Sequence, residues 1–480
     1  MVLENLVKES KPSYDCDFIL TFRTETDSFG NVQIPKNHYY GAQTQRAIEN
    51  FPIGNEKFPP IFIKSLGIIK KSCALANREL KILEPDLADY IIQASTEVIE
   101  GKFNKDFPLV IWQTGSGTQT NMNANEIIAN RAIELAGGEI GTKKPVHPND
   151  HVNKSQSSND VIPTAMHIST VALIHTHLLP ALEYFKEELS NKSKELESII
   201  KVGRTHLQDA TPITLGQEFS GYASQIKHGI ERIKHALEPL YELPLGGTAV
   251  GTGLNAPLEF SSIAISKIAN LMGYPFVPAE NKFEEIAAHD ALVAMSGVIR
   301  TIAVSLMKIA NDIRWLSSGP RAGLGELIIP ANEPGSSIMP GKVNPTQAEA
   351  MTQVVAQIIG NDVTITFAGS QGNFELNVFK PVIIFNLLQS IQLVGDSVRS
   401  FTDRCLIGIK PNKERIQQNL ENSLMLITAL TPRIGYDKAA YIAKKAYDEN
   451  KSLKEIILQE QILSKEEIDQ LLKPEDMTHS

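Results

Sequence analysis

The feature that most constrains the fold is an apolar stripe with near-heptad spacing. Apolar side chains recur in steps of three or four at Leu292, Met295, Ile299, Ile302, Leu306, Ile309, Ile313 and Leu316. Two further stripes are Phe219, Tyr222, Ile226, Ile230, Ile233, Leu237 and Leu240, and Val171, Ile174, Leu178, Ala181, Phe185 and Leu189 across Pro180. At about 1.5 Å per residue, each predicted helix is roughly 35 to 40 Å long.

Long helices with one apolar face must pack side by side, so we predict an all-α fold with an elongated helical bundle. Some stripes are expected to face their own chain and others a second copy. Strand signals are few, although residues 22–35 predict one small hairpin around Gly30-Asn31. Pro411-Asn412 marks a change to shorter, more polar helices. We therefore predict an N-terminal domain over 1–156, a central long-helix bundle over 157–410 and a small C-terminal helical domain over 411–480.

Composition narrows the class of protein. A length of 480 residues suggests about three folding units. Apolar residues at 42% and charged residues at 21% are typical of a soluble globular protein, and no uninterrupted apolar run approaches the roughly 18 residues of a membrane span. The net charge of −9 disfavours nucleic acid or an anionic membrane as a partner. A small anion would have to bind at a local positive site.

The cysteines and the amino terminus indicate a reducing compartment. Cys16, Cys73 and Cys405 are far apart and odd in number, which favours neither a disulfide framework nor a clustered metal site. The first residues carry mixed charges without an apolar or Arg-rich leader. We therefore expect a cytoplasmic protein.

The most informative segment runs from Gly335 to Glu349. It reads GSSIMPGKVNPTQAE, in which Asn344 suits a helix N-cap, Pro345 the first helical position and Gln347 a capping box. A glycine-bounded loop, a lysine and a helix start together predict a site for a carboxylate or phosphate. The spacing of the glycines and Val343 after the lysine do not match a nucleotide-binding phosphate loop.

Three further polar clusters precede predicted helices. They are residues 203–212, which contain Thr205 and His206 before a helix expected near Pro212, residues 115–123 and residues 153–160. A histidine in such a loop can act as an acid or base at neutral pH, but a lone histidine is more often structural. Each Ser/Thr/Asn cluster taken singly is more often an ordinary cap. Four of them, if they converge, would suit a small dianion.

Metal ligation is not indicated by the sequence. His147 and His151 have helical spacing, but the intervening Pro148-Asn149-Asp150 is typical of a turn, and no H-E-x-x-H motif occurs. The glycine-rich segment 246–253 does not match a dinucleotide-binding fingerprint, and we interpret it as a tight connection between helices.

Residues 335–345 resemble the signature of the fumarase/aspartase superfamily. Further segments resemble class II fumarases in order and spacing, namely 41–46, 112–123, 147–159, 204–217, 246–255 and 307–320. The likeness covers nearly the whole chain apart from roughly the first 20 residues. At the positions where aspartases typically have glutamine and alanine, this chain has His206 and Gly341, which favours the hydratase branch.

The resemblance implies reversible hydration of fumarate to (S)-malate through an aci-carboxylate intermediate, without a cofactor. It also implies a homotetramer whose active sites are each built from three subunits around a small dicarboxylate. An ammonia-lyase acting on aspartate and a non-catalytic structural relative are the alternatives.

The same resemblance assigns roles to individual residues. Ser336 is implied as the base that removes the carbon-bound proton, and His206, oriented by Glu349, as the group that activates water. The implied substrate-binding residues are Ser116, Gly117, Thr118, Ser157, Ser158, Asn159, Thr205, Ser337, Lys342, Val343 and Asn344. A second dicarboxylate site is implied at His147, Pro148, Asn149 and Asp150, where this chain has His151 in place of the acid found in many relatives.

Overall fold

A computed structural model of the protein describes residues 21–478. Cys16 and the amino-terminal segment on which the leader prediction rests lie outside this range. The α-helices are α1 (Ala42–Asn50), α2 (Pro60–Glu79), α3 (Pro85–Ile99), α4 (Thr118–Leu135), α5 (Ser158–Leu173), α6 (Leu179–Glu195), α7 (Leu215–Ala236), α8 (Phe260–Met272), α9 (Lys282–Ala287), α10 (Asp290–Leu316), α11 (Thr346–Gly369), α12 (Lys380–Phe401), α13 (Lys413–Asn422), α14 (Thr431–Ile434), α15 (Tyr436–Glu449), α16 (Leu453–Gln459) and α17 (Lys465–Leu471). The helical prediction is confirmed.

Strands are short and pair only two at a time within residues 21–478. They are β1 (Phe22–Asp27), β2 (Gly30–Pro35), β3 (Ile200–Thr205), β4 (Gln208–Thr214), β5 (Glu242–Leu243), β6 (Val277–Pro278), β7 (Leu327–Ile328), β8 (Gly372–Asn373), β9 (Leu376–Asn377) and β10 (Lys410–Pro411). The pairs are β1 with β2, β3 with β4, β5 with β6, β7 with β10 and β8 with β9.

The chain divides into two compact units, each built from several segments. Among the described residues, unit 1 comprises 21–169, 242–288 and 371–381, and unit 2 comprises 170–241, 289–370 and 382–478. In unit 1, α2 packs against α3 and α8, and α4 packs against α3 and α1. Phe62, Leu66 and Ile69 on α2 are fully buried in this core.

The predicted hairpin near the amino terminus is confirmed, but its turn lies earlier than expected. Asp27 pairs with Gly30, so the two turn residues are Ser28 and Phe29 instead of Gly30-Asn31. The carboxylate of Asp27 accepts a hydrogen bond from the Phe29 amide at 2.8 Å. Gly30 has φ +112°. An aspartate that bonds the backbone two residues ahead favours this earlier turn.

Unit 2 is organised around the three predicted apolar stripes. Helix α10 packs against α11 and α7, and α7 packs against α6. The stripe of α10 is buried along its whole length, from Leu292 to Leu316. The stripe that crosses Pro180 is confirmed as well, although a π-helical turn, Ile174–Leu178, separates α5 from α6. Since proline has no N–H to donate, a change in hydrogen-bond pattern at this point is expected.

A second hairpin, β3–β4, was not predicted. Its two turn residues, His206 and Leu207, have φ +58° and +61°, which gives the tight reversal typical of two-residue hairpins. The prediction that α7 begins near Pro212 is wrong, because Pro212 lies in β4. The helix begins at Leu215, where Thr214 and Gln217 form a capping box.

Between residues 21 and 478, three helical segments are long and apolar enough to cross a membrane by length and composition, namely Ser158–Glu195, Asp290–Leu316 and Lys380–Leu406. The expectation that no segment approaches a membrane span was therefore wrong by this measure. An isolated charge such as Lys308 interrupts an apolar run, but the helix that contains it is still apolar on average. In Ser158–Glu195, 78% of the apolar window is buried inside the protein.

The carboxyl-terminal helices enclose a hydrophobic cluster of their own. Its members come mainly from residues 420–472, and Val202 of β3 joins them. Ile442 on α15 and Ile456 and Ile457 on α16 are fully buried there. The shorter helices predicted after Pro411 therefore bury their apolar faces largely against one another.

A buried carboxylate anchors the β3–β4 hairpin. The side chain of Glu326 is fully buried and lies 3.5 Å from Lys201 Nζ. Arg204 Nη1 donates to Glu326 Oε2 at 3.0 Å, and Asn419 Nδ2 donates to Oε1 at 2.9 Å. Burial alone raises the pKa of Glu326, but the Arg204 hydrogen bond and the Lys201 charge outweigh it and leave the pKa below its ordinary value. The end of β3 is thereby held in place.

We predict that Ile442→Ala destabilises the protein by about 2 to 5 kcal/mol, because it leaves a cavity in a closely packed cluster. Tyr447→Ala, at a position on the same helix that is 77% exposed, should change the free energy of unfolding by less than about 0.5 kcal/mol. Denaturant unfolding of both variants provides the measurement. Equal effects would contradict the assignment of Ile442 to a packed core.

We also predict that Glu326→Gln destabilises the protein at pH 7 by about 3 to 5 kcal/mol, because it leaves two cations without their buried partner. Since folding lowers the pKa of Glu326, its contribution is complete above the unfolded pKa of about 4.3 and is lost as the pH falls through the folded pKa. The difference between the wild type and the variant should therefore shrink below pH 4.

Urea unfolding at several pH values measures this difference. The matched control is Glu467→Gln, because Glu467 pairs with Arg433 at the exposed surface and should contribute less than about 1 kcal/mol. A stability difference for Glu326→Gln that does not change with pH would show that the charge of Glu326 is not the cause.

Candidate active site

The first polar cluster forms the start of α4. Gly117 has φ +72°, and a Cβ at this position would lie 3.1 Å from the Ile162 side chain, so the turn favours glycine. The hydroxyls of Ser116 and Thr118 lie 2.8 Å apart. The predicted helix is present, but it begins at Thr118, inside the cluster instead of after it. Its first turn is capped from outside the motif, because Gln113 Oε1 accepts from the amide of Thr120 at 3.1 Å.

The second cluster forms the start of α5. The Ser157 hydroxyl accepts from the Asn159 amide at 3.2 Å, and Asp160 Oδ1 accepts from the Ser157 amide at 2.9 Å. The predicted capping role is confirmed here. In addition, Asn121 Nδ2 of α4 donates to the Ser158 hydroxyl at 2.9 Å. Within unit 1, the first and second clusters are thus in contact through Asn121 and Ser158.

The glycine-rich segment 246–253 has a larger role than the tight connection that we predicted. Asp160 Oδ2 accepts from the amides of Gly246 and Thr248, both at 2.9 Å. Asn159 Nδ2 donates to the Ala249 carbonyl at 2.8 Å. The segment is thus hydrogen-bonded to the start of α5.

Two buried ionisable residues support this arrangement and were missed in the sequence. Burial raises the pKa of Asp160 to about 6, against the lowering effect of its backbone donors. Burial lowers the pKa of Lys70 on α2 to about 7, and attraction to Asp160 opposes that shift. Asp160 carried a usable signal, since Ser157 and Asp160 match the S-x-x-D capping pattern. Lys70 carried none, because it lies within an ordinary helical sequence.

In unit 2, Thr205 and His206 lie at the tip of the β3–β4 hairpin. Both are exposed. Arg204, two residues before His206, is bonded to the buried Glu326, so the backbone that leads to the hairpin tip is held in place. The expectation of a histidine in a polar loop is confirmed, although the loop is a hairpin turn.

The segment 335–344 forms a closed loop that presents Ser336. The Gly335 amide donates to the Lys342 carbonyl at 2.9 Å, and Asn344 Nδ2 donates to the Gly335 carbonyl. The Ser336 hydroxyl oxygen accepts from the backbone amides of Ile338 at 3.3 Å and Met339 at 3.1 Å. Two N–H donors aimed at one oxygen favour the development of negative charge there.

The predicted capping box at the start of α11 is wrong. The helix begins at Thr346 after Pro345, and no side chain caps it. The Asn344 amide is committed to the loop, and Gln347 Oε1 accepts from the Ser400 hydroxyl at 2.9 Å instead. Closing the loop therefore takes the asparagine that would otherwise cap the helix.

Several residues of this loop are exposed in one copy of the chain. They are Ser337, Ile338, Met339, Lys342 and Val343. Glu349 lies in the first turn of α11. Among the described residues of a single copy, no ion pair within 4.0 Å joins His206 to Glu349. The convergence of Ser336, His206 and Glu349 stays a prediction about the assembled protein.

The residues between His147 and His151 form a π-helical turn, Pro148–Val152, instead of the simple turn that we predicted. The reason is that His147 Nδ1 accepts from the amides of Asn149 and Asp150, both at 3.2 Å. His151 Nδ1 accepts from the His147 amide at 2.9 Å. Burial lowers the pKa of His151. Over residues 21–478, no group of three or more His, Cys, Asp or Glu side chains could hold a metal ion.

Comparison with known proteins identifies the family. A family model described as a lyase matches residues 30–360, and another described as the fumarase C C-terminus matches residues 426–479. A fumarate hydratase class II from Thermosynechococcus vestitus is 58% identical over 95% of this chain and 97% of its own. A mitochondrial fumarate hydratase from Rattus norvegicus is 59% identical over 95% of this chain and 90% of its own.

Solved structures agree with the sequence relatives. A class II fumarase from Schistosoma mansoni matches with a TM-score of 0.93 and 44% identity, covering 95% of this chain and 99% of that chain. A fumarate lyase:delta crystallin from Brucella melitensis, bound to cobalt in that crystal, matches with a TM-score of 0.92 and 41% identity over 96% and 100% of the two chains. The helical fold of the fumarase/aspartase type is confirmed, and the chain belongs to the class II fumarase family.

Proposed function

We propose that this protein catalyses the reversible hydration of fumarate to (S)-malate. The observation that carries the proposal is the Ser336 loop, in which two backbone amides donate to one hydroxyl oxygen. Relatives named fumarate hydratase support the reaction, since they match almost the whole chain. His206 and Gly341 favour the hydratase over the ammonia-lyase.

The first chemical step is removal of a weakly acidic C–H proton from malate. The carbon lies beside a carboxylate, so the resulting aci-carboxylate carries two negative charges on one end. Ser336 is proposed as the base. The amides of Ile338 and Met339 lower the cost of charge on its oxygen, and Lys342 adds a positive charge in the same loop. This combination makes a hydroxyl more acidic than it is in water.

The second step is loss of hydroxide from the adjacent carbon. His206 donates a proton to the departing hydroxyl, and in the hydration direction it takes one from the attacking water. Glu349 is proposed to orient the imidazole and raise its basicity in the assembled protein. Its position at the start of α11, five residues after Asn344, allows one copy to supply both the Ser336 loop and this carboxylate.

The two carboxylates of the substrate are proposed to bind to neutral donors. The hydroxyls of Ser116 and Thr118 and the amide of Asn159 lie at the starts of α4 and α5, where helix dipoles favour negative charge. Thr205, Ser337, Lys342 and Asn344 are proposed to supply further donors in the assembled protein, and Gly117, Ser157, Ser158 and Val343 to shape the backbone beside their own neighbours. Held in a reactive geometry, such a substrate can gain about 7 to 11 kcal/mol of barrier reduction in ideal cases.

The assembly is proposed to be a homotetramer with each site shared by three subunits. Support comes from apolar side chains that α10 and α11 leave exposed in a single copy. Val304 and Trp315 lie eleven residues apart on one face of α10, and Ile359 and Val363 lie one turn apart on α11. Exposed apolar faces on long helices are typical of subunit interfaces.

Three further features remain proposals. The π-helical turn at His147, Pro148, Asn149 and Asp150 is a second dicarboxylate site. Division of the chain at 156 and 410 is supported at its second boundary by the separate carboxyl-terminal cluster. A cytoplasmic location is supported by the free, buried thiols of Cys73 and Cys405.

We predict that the purified protein forms fumarate from malate and not from aspartate, followed by the ultraviolet absorbance of fumarate. Ser336→Ala and His206→Asn should each lower kcat by about 10² to 10⁴, because each removes a proton-transfer group. The control is Ser262→Ala, an exposed serine on α8, which should leave kcat unchanged. Product from aspartate alone would favour an ammonia-lyase, and no product from either would favour a structural role.

We predict a sedimentation mass near four times that of the chain. Val363→Asp should lower this mass, because it would bury a carboxylate without a partner. Tyr447→Asp, at an exposed apolar position on α15, serves as the control and should leave the mass unchanged. A monomeric wild type would contradict the shared active site.

A further inference from the structure

A buried lysine is hydrogen-bonded to the segment that leads into α5. Lys70 lies in the middle of α2 and is fully buried. Its Nζ donates to Asn153 Oδ1 at 3.0 Å and to Gln156 Oε1 at 2.8 Å. Both acceptors belong to the chain segment just before Ser157. The lysine therefore contacts the approach to the candidate substrate-binding residues without belonging to them.

Asn153 connects this lysine to the helix starts. Its Oδ1 also accepts from Nδ2 of Asn121 and of Asn125 on α4, both at 3.2 Å. Asn121 Nδ2 is shared with the Ser158 hydroxyl at 2.9 Å. One continuous set of hydrogen bonds thus runs from Lys70 through Asn153 and Asn121 to Ser158.

Asp160 is hydrogen-bonded to the other end of the same segment. The carboxylate is fully buried and receives three backbone amides, those of Ser157, Gly246 and Thr248, at 2.9 Å each. One acid therefore fixes both the first residue of the cluster and the glycine-rich segment that contacts Asn159. Removal of its charge would weaken all three hydrogen bonds together.

Buried charges such as these are a poor source of stability. Taking an ammonium and a carboxylate out of water costs several kcal/mol each, and well-packed apolar residues often serve stability as well or better. Burial indeed lowers the pKa of Lys70 and raises that of Asp160. The two groups instead hold many polar atoms in a single arrangement, because each of these hydrogen bonds is directional.

We propose that Lys70 and Asp160 are positioning residues for substrate binding. Together they hold Ser157, Ser158 and Asn159, and the facing segment 246–249, in the arrangement that receives a carboxylate of the substrate. The proposal rests on the proposed function for the identity of that substrate. Neither residue takes part in proton transfer, so the effect should appear in binding.

The test compares Lys70→Met and Asp160→Asn with the wild type. Methionine has a similar length but donates no hydrogen bond, and asparagine keeps the shape of aspartate without its charge. Each variant should raise KM for fumarate at least about tenfold while kcat changes less than about threefold, which is the pattern of lost binding. Because both act on one segment, the double variant should raise KM by less than the product of the single effects.

Lys192→Met is the matched control. Lys192 is also a buried lysine, bonded to Glu195 and to the carbonyls of Ile407 and Ile409, and none of these three partners belongs to residues 153–160. This variant should lose thermal stability as Lys70→Met does, yet keep the wild-type KM. A KM increase that merely follows the loss of stability in all three variants would overturn the proposal.

Hydrogen exchange gives a readout that does not depend on turnover. In Lys70→Met and Asp160→Asn, amides in 153–160 and 246–249 should exchange at least about tenfold faster than in the wild type, and in Lys192→Met they should not. Unchanged exchange in these segments overturns the proposal whatever the activity. A wild type without fumarate turnover but with the expected exchange pattern would instead refute the proposed function. If Lys70→Met does not fold, Asp160→Asn alone decides by the same two measurements.

Discussion

Burial of one apolar face on each long helix is the constraint on which the rest of the protein depends. In unit 2 the stripes of α7 and α10 pack against neighbouring helices and leave the helix ends free. In unit 1, helices α2, α3 and α4 also pack against one another. The residues of the proposed site lie in loops and in the first turns of helices. At a helix start, the helix itself leaves backbone N–H donors without partners. The ends of these helices are therefore where we propose that the anionic substrate binds.

The parts of this fold that could be read from the sequence are those with a local cause. The stripe from Leu292 to Leu316 follows from a period of about 3.6 residues, and the start of α5 follows from its own capping residue, Ser157. The β3–β4 hairpin could not be read, because His206 and Leu207 adopt a left-handed backbone that their residue types rarely favour. Asn344 looked like a cap and closes a loop instead, because its partner, Gly335, competes with the helix start.

The residues missed around the candidate site share a different cause. Lys70 bonds to acceptors 83 and 86 residues away, and Glu326 receives Arg204 from 122 residues away. No pattern within a window of sequence reports such partners, since only the fold brings them together. The proposed members of the site were recognised from their motifs, whereas the buried ionic groups that hold them needed coordinates. One sequence was therefore enough to predict the donors, but not the buried groups that hold them in place.

The mainly neutral donors of the proposed site are also compatible with an acidic chain that binds a dianion. With a net charge of −9, long-range attraction works against the substrate. Hydroxyls, amides and helix ends act only at short range, and the proposed site adds one local positive charge, that of Lys342, so it can bind two carboxylates with little change in that field. Such neutral donors bind well only if they are oriented in advance, because each weak contact loses much of its value when it must be ordered on binding. The ionic groups set behind them, at Lys70, Asp160 and Glu326, supply that order while staying out of contact with solvent.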